Sequence, residues 1–175
     1  MKKVLLVLAS LVLTVSLCAC SSQKNNSDSI PAIDPAALVT VEDIAANAGY
    51  TPVIEASETT RDGNTATVMY RSEPIGQNDI VRVTVTQFTD QIDSQQLYAK
   101  FSQDREARPL AETVPAIGHD AFIAFPSIHV FDRGCIIEIT AGSGSGETQR
   151  NMLKSLALTA AQRIEAIMPE GAENN

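Results

Sequence analysis

The sequence has few of the side chains that usually bind metals or form disulfides. Its 175 residues include no tryptophan, two histidines and three cysteines. None of the histidines and cysteines has the short spacing typical of zinc ligands. We therefore expect neither a bound metal nor a cofactor.

Basic residues are also scarce. The chain has 13 lysines and arginines against 21 aspartates and glutamates, which gives a formal net charge of −8. An acidic surface repels phosphate backbones, so nucleic acid is not expected as a partner. The longest apolar stretch, Val4 to Leu17, is shorter than the ~20 residues that a membrane-spanning helix needs.

That apolar stretch has the properties of a secretion signal. Lys2 and Lys3 precede it, and small residues and cysteines follow it in Leu17-Cys18-Ala19-Cys20. This last segment resembles the lipobox of bacterial lipoproteins. The resemblance implies that Cys20 receives a diacylglyceryl group and becomes the new N-terminus. Cys18 fits this role less well, because the bulky Leu17 would then lie next to the cleavage site.

The leader therefore predicts a lipid-anchored protein on the outer side of the cell membrane, or of the outer membrane if the source has two. An uncleaved anchor helix and an ordinary secretory signal are the alternatives. Two acyl chains would hold the protein firmly on the bilayer, whereas a single chain gives only marginal binding.

Removal of residues 1–19 would leave a chain of one-domain size. Because the leader contains two lysines and no acidic residue, 11 basic and 21 acidic residues remain, with a net charge of −10. Only Cys135 would remain as a free thiol, so we expect no intrachain disulfide. The polar segment 20–37 is expected to be a flexible tether, 38–169 the domain and 170–175 a disordered tail.

Periodicity predicts an α+β fold with a mostly antiparallel sheet of five to seven strands. Thr40 is expected to cap a short N-terminal helix, with Asp43 completing a capping box. The helical patterns at Asp93–Ala107 and Glu147–Met168 predict a middle helix and a long C-terminal helix that covers the sheet.

Alternating patterns predict the strands of the sheet. They lie at Tyr50–Ser57, Thr65–Arg71, Ile80–Phe88, Ala121–Phe125, Ile128–Asp132 and Cys135–Ala141. Tight turns are expected at Arg61–Asn64, Pro126-Ser127 and Arg133-Gly134.

Four polar residues on the second face of the sheet are candidates for a pocket: Arg71, Arg82, His129 and Glu138. The alternative is that they are ordinary solvated or ion-paired side chains of a sheet surface.

No catalytic residue is predicted. His119-Asp120 is the one histidine–carboxylate neighbour pair, and Cys135 and His129 lie on two arms of one predicted hairpin. Cys135, however, shares a strand face with Ile137 and Ile139, which indicates a packed thiol. The glycine-rich segment 142–146 lacks the lysine of a phosphate-binding loop, so we interpret it as a connecting loop.

The chain resembles small bacterial lipoproteins of unknown function that have a PsbP-like α/β/α sandwich. The resemblance covers about residues 38–168. It consists of the motif Ile117-Gly118-His119-Asp120-Ala121-Phe122, a hairpin through Arg133-Gly134 and an amphipathic C-terminal helix. It implies a sandwich fold, and no functional residues carry over, because that family has no agreed activity.

The expected function is a non-enzymatic binding or interaction module of the cell envelope, with an envelope protein or component as its partner. The alternative is a carrier or sensor of a small, apolar ligand, and the third is an envelope hydrolase.

Lipidation can be tested directly. A Cys20→Ala variant expressed in bacteria should lose labelling by a clickable palmitate analogue, because the acyl-accepting thiol is gone. Cys18→Ala should retain the label. Labelling that survives in Cys20→Ala but is lost in Cys18→Ala would assign the anchor to the other cysteine.

Overall fold

The computed structural model describes most of the predicted domain. The predicted leader, Cys20, the first part of the tether and the tail at 170–175 lie outside the described residues. Those residues are 32–48, 53–56, 59–73, 80–89, 92–142 and 145–168.

Within these described ranges, eight strands form a single antiparallel sheet. They are β1 (Val53–Ala56), β2 (Thr60–Asp62), β3 (Thr65–Glu73), β4 (Ile80–Gln87), β5 (Glu112–Thr113), β6 (Asp120–Ala124), β7 (Ser127–Asp132) and β8 (Cys135–Ala141). Their order is β1-β3-β4-β8-β7-β6-β5, and β2 pairs with the same strand as β1, namely β3. The α+β class and the antiparallel sheet are confirmed. The strand number exceeds the predicted five to seven, because the short β2 and β5 were not predicted.

The described part of the chain also forms four helices: α1 (Pro35–Leu38), α2 (Val41–Ala48), α3 (Ser94–Glu106) and α4 (Glu147–Ile167). The middle and C-terminal helices lie where their periodicity predicts. Asp93 caps α3 by accepting a hydrogen bond from the Gln96 amide. Thr40 and Asp43 form the predicted capping box at the start of α2, since each side chain accepts from the other's backbone N–H. None of these helices is both long enough and apolar enough to cross a membrane.

The helices lie on opposite faces of the sheet, so the domain has three layers. On the first face, Tyr70 of β3 donates to the carbonyl of Val39 at the end of α1, and Cys135 of β8 contacts Met168 just after α4. On the second face, Phe101 of α3 packs against Phe122 of β6. Residues on alternate positions of each strand face alternate layers.

The first face and α4 enclose a filled core. The apolar stripe of α4 includes Leu153, Leu156, Ala157, Ala160 and Ile164, all with 0% of their surface exposed. Because this stripe repeats at helical spacing over the whole helix, α4 is the main cover of the sheet.

The N-terminal part of the fold begins earlier than the predicted boundary at residue 38. Ile33 and Pro35, assigned to the tether from sequence, are buried. The backbone amide of Ile33 donates to the side chain of Gln87 over 2.8 Å, and its carbonyl accepts from Arg61 over 2.8 Å. Residues 32–37 therefore pack on the domain. The short segment 30–37, with two prolines, shows no helical or strand periodicity, so the sequence did not reveal this packing.

An ion pair connects this N-terminal part to α4. The two terminal nitrogens of the Arg163 guanidinium donate to the carboxylate of Asp43, one of them over 3.0 Å. Arg163 also donates to the Leu38 carbonyl over 2.9 Å. Bidentate pairs of this kind fix geometry as well as adding attraction. The N-terminal helices are thus held on the same layer as α4.

The filled core predicts a sharp contrast between two leucines of α4. Leu156→Ala should lower the free energy of unfolding by about 2–5 kcal/mol, because it removes buried methyl groups and leaves a cavity. Leu158 is 43% exposed, so Leu158→Ala should change it by less than about 0.5 kcal/mol. Urea unfolding of both variants measures the difference. Equal losses would contradict the packing described for α4.

Candidate functional site

The candidate site lies where α3 stops covering the second face of the sheet. Phe101 of α3 packs over Phe122 and Phe131, at ring distances of 5.1 and 5.9 Å. Beside this aromatic contact a cleft of about 230 Å³ opens between α3, β4, β8 and β7. We call it the His129 cleft. It is lined by Thr86, Lys100, Phe101, Asp104, Arg108, His129, Ile136 and Glu138.

The charged wall of the cleft comes from one side of α3. Lys100, Asp104 and Arg108 recur every four residues and therefore project from the same side of the helix. Arg108 lies just past the last turn of α3, and its Nε donates to both carboxylate oxygens of Asp104 over 3.1 Å. The wall thus carries two positive charges and one negative charge.

His129 forms the floor of the cleft and is only 3% exposed. It is paired directly with Glu138 across β7 and β8. Its ring stacks on Phe122 at 4.5 Å with an interplanar angle of 10°. Nδ1 lies 3.7 Å from Oδ2 of Asp104 and 4.0 Å from Oε2 of Glu138. Within the described part of the chain, Nε2 is buried and has no hydrogen-bond partner.

These surroundings favour the neutral imidazole. Burial lowers the pKa of His129 below its ordinary value of 6.5, and the nearby Arg108 lowers it further, whereas Glu138 and Asp104 raise it. A neutral imidazole has one N–H donor and one acceptor nitrogen. The floor of the cleft can therefore both donate and accept a hydrogen bond.

Glu138 is positioned by hydroxyl groups on the side away from His129. Its Oε1 lies 3.4 Å from the hydroxyls of Ser127 and Thr140, which are 2.8 Å from each other. Oε2 is then left to face the histidine. Glu138 therefore connects the cleft to Ser127 and Thr140, the neighbouring polar side chains on the second face.

The structure brings together two of the four predicted pocket residues. His129 and Glu138 face each other, whereas Arg71 and Arg82 are exposed and do not line the cleft. Arg82 is paired with Thr140, one row along the sheet from Glu138, and Arg71 lies farther along β3. The sequence predicts that the four side chains share one face of the sheet, but not how far apart they lie along the strands.

Sequence reasoning missed the residues contributed by α3. The four-residue spacing of Lys100, Asp104 and Arg108 was visible within and just beyond the predicted helix. What the spacing could not show is that this side of α3 lies over β7 and β8, because that depends on how the helix packs on the sheet.

The possible nucleophiles lie elsewhere. Cys135 is fully buried on the first face, with its Sγ 3.8 Å from Sδ of Met168, which confirms the prediction of a packed thiol. Asp120, beside His119 in sequence, is paired with Arg105 over 2.8 Å. The polar groups that face Nδ1 of His129 are carboxylates rather than a hydroxyl or thiol. Of the glycine-rich segment 142–146, residues 143 and 144 lie outside the described residues.

The described residues contain no cluster of three or more histidine, cysteine, aspartate and glutamate side chains arranged to hold a metal ion. Comparison of the chain with models of protein families, with curated proteins and with solved structures finds no significant match. The chemistry of the His129 cleft therefore has to be argued from its own residues.

The effect of the charges around the cleft can be tested by measuring the pKa of His129. NMR titration should give His129 a pKa below 6.5, assigned by its loss in His129→Gln. Glu138→Gln should lower that pKa further, since it removes a negative charge, and Arg108→Gln should raise it. The pKa of His129 is higher in the unfolded chain than in the folded chain, so protonation of His129 favours unfolding. The contribution of His129 to the free energy of unfolding is therefore lost as the pH falls from 6.5 through the folded-state pKa.

His119→Gln is the matched control and should leave the His129 titration unchanged. A His129 pKa above 6.5, or shifts of the opposite sign in the two charge variants, would contradict the described surroundings.

Proposed function

We propose that the protein is a lipoprotein, anchored through Cys20 on the outer side of the cell membrane, that acts as a non-enzymatic binding module of the envelope. The partner is an envelope protein or another envelope component. The anchor rests on the leader and on the lipobox-like Leu17-Cys18-Ala19-Cys20. The resemblance of about residues 38–168 to small PsbP-like lipoproteins points to the same class of protein.

The observation that carries the binding role is that, among the residues that the structure describes, helices cover the second face of the sheet only in part. α3 packs over β6, β7 and β8, while the threonine-rich surface of β3 and β4 beside it is partly exposed. On that surface Thr65 pairs with Thr86 and Thr67 with Thr84, each with hydroxyl oxygens 3.1 Å apart. The His129 cleft lies at the boundary between the covered and open parts. A partner lying on the open surface would reach the cleft with one side chain.

The lining of the cleft indicates what kind of contact it makes. Lys100 and Arg108 bring positive charge, and Asp104 and Glu138 bring negative charge. Mixed charges of this kind favour a partner with a complementary polar surface over a purely apolar ligand. The partner contact is therefore expected to be polar and sensitive to charge reversal.

The two other functional classes receive less support. A carrier of an apolar ligand needs an apolar pocket, whereas the His129 cleft is lined by four charged side chains and is smaller than the ~300 Å³ at which typical ligand pockets begin. A hydrolase needs an activated nucleophile or a positioned water beside its base. His129 faces two carboxylates instead, and Cys135 is buried on the opposite face of the sheet.

Site-specific photocrosslinking in intact bacterial cells tests the binding role. A photoreactive residue at Lys100, on the rim of the cleft, should give a discrete adduct with an envelope component. The same residue at Gln162, exposed on α4 in the opposite layer, should give none. Arg108→Glu should abolish the adduct at position 100 because it reverses the charge of the cleft wall, whereas Lys154→Glu, on α4 in the opposite layer, should retain it.

Adducts at position 162 alone would place the partner on the other layer and refute the cleft as the binding site. In native mass spectrometry of the purified protein, a reproducible excess mass that corresponds to an apolar ligand and is lost on denaturation would favour the carrier instead.

A further inference from the structure

A second pocket lies at the end of the sheet where the β7–β8 hairpin turns. Its walls come from the hairpin turn, from the loop before β6, from the first residue of α3 and from the last turns of α4. Its volume of about 380 Å³ falls within the range of small-molecule sites. We call it the turn pocket. It shares no lining residue with the His129 cleft.

Backbone geometry builds this pocket. Arg133 and Gly134 both have positive φ, 47° and 68°, as a two-residue hairpin turn requires. Gly118, also at positive φ, approaches β7 so closely that a Cβ would lie 2.8 Å from Cγ1 of Val130. The next residue, His119, donates its amide to the Phe131 carbonyl over 3.0 Å. These contacts hold the loop and the hairpin turn on either side of the pocket.

Asp132 is the residue that indicates a ligand. It lines the pocket, is only 6% exposed, and its Oδ2 is buried with no hydrogen-bond partner among the described residues. A buried acceptor without a donor is costly, so such groups usually have an unseen partner or a functional role. Burial also raises the pKa of Asp132, with Arg133 opposing it, and an adjacent cation would offset that burial.

Charges of both signs surround this carboxyl. Glu165 and the carbonyl end of α4 add negative potential, and Arg133, 3.7 Å from Glu165, adds positive charge. The pocket also touches Ser94, the first residue of α3, next to the Asp93 carboxylate that caps this helix. A ligand in the pocket would therefore meet an acidic side and a basic side a short distance apart.

We propose that the turn pocket binds a small zwitterion, with the free α-amino acids as the class that fits it. The ammonium group donates to Asp132 and faces Glu165. The carboxylate faces Arg133. The volume suffices for an amino acid with a side chain of moderate size. This site is independent of the proposed partner contact at the His129 cleft, so either proposal can fail without the other.

The test is a binding screen of the full chain, purified from bacterial membranes in detergent, against free L- and D-α-amino acids. At least one should raise the thermal midpoint and shift the NMR amide signals of residues 118, 119 and 132–134. N-acetylation of that amino acid should abolish binding because it removes the ammonium group, and amidation of its carboxylate should weaken it.

Three variants localise the effect. Asp132→Asn, nearly isosteric, should weaken binding by about tenfold or more, since a charge-assisted hydrogen bond is lost. Glu165, with its side chain 57% exposed, can be changed without unfolding, and Glu165→Gln should weaken binding a few-fold. Glu106→Gln, exposed on α3 and outside the pocket, should change nothing.

The proposal is overturned if no amino acid binds, if binding is unchanged in both Asp132→Asn and Glu165→Gln, or if the shifted signals belong to the His129 cleft. Circular dichroism of Asp132→Asn shows whether it folds; if it does not, Glu165→Gln and the acetylated ligand decide.

Discussion

The register of β8 is the constraint on which the rest of the structure depends. β8 is the middle strand of the seven along the sheet, with β4 on one side and β7 on the other. Cys135, Ile137, Ile139 and Ala141 are all fully buried on its first face, while Ile136, Glu138 and Thr140 lie on the second. A shift of one residue would turn Glu138 into the core beneath α4 and expose the isoleucines. The burial of these apolar side chains therefore sets the pairing of both neighbouring strands.

Both sites follow from this register. Because Glu138 must lie on the second face, cross-strand pairing places it beside His129, where α3 adds Asp104 and Arg108. Because Cys135 begins the buried face, the two residues before it make the tight turn that forms one wall of the turn pocket. The polar groups at these sites, His129 Nε2 and Asp132 Oδ2, are buried without a described partner. Such groups reduce stability, and a bound partner or ligand would recover part of the loss.

Most of the fold could be predicted because its long elements carry strong periodic patterns. The α3 and α4 boundaries, the capping box at Thr40 and the hairpin turn at Arg133-Gly134 lie where the sequence places them. The missed elements, α1, β2 and β5, have two to four residues each, which is too short for a periodic pattern to emerge. The sequence places Ile33 in the tether for a similar reason, since the short segment 30–37 contains two prolines and shows no helical or strand periodicity.

The two sites likewise combine features that the sequence predicts with features that depend on packing. By itself the sequence determined which side chains share a face: Arg82, His129 and Glu138 on the second face of the sheet, and Cys135 among the isoleucines of the first. Only the tertiary structure decided that His129 and Glu138 face each other in one cleft, whereas Arg82 lies outside it. It also decided that α3 lies over one half of that face, and that Asp132 is enclosed between the ends of two helices. Alternation along a strand is a local property of the backbone, whereas the position of a helix on a sheet depends on packing between residues far apart in the chain.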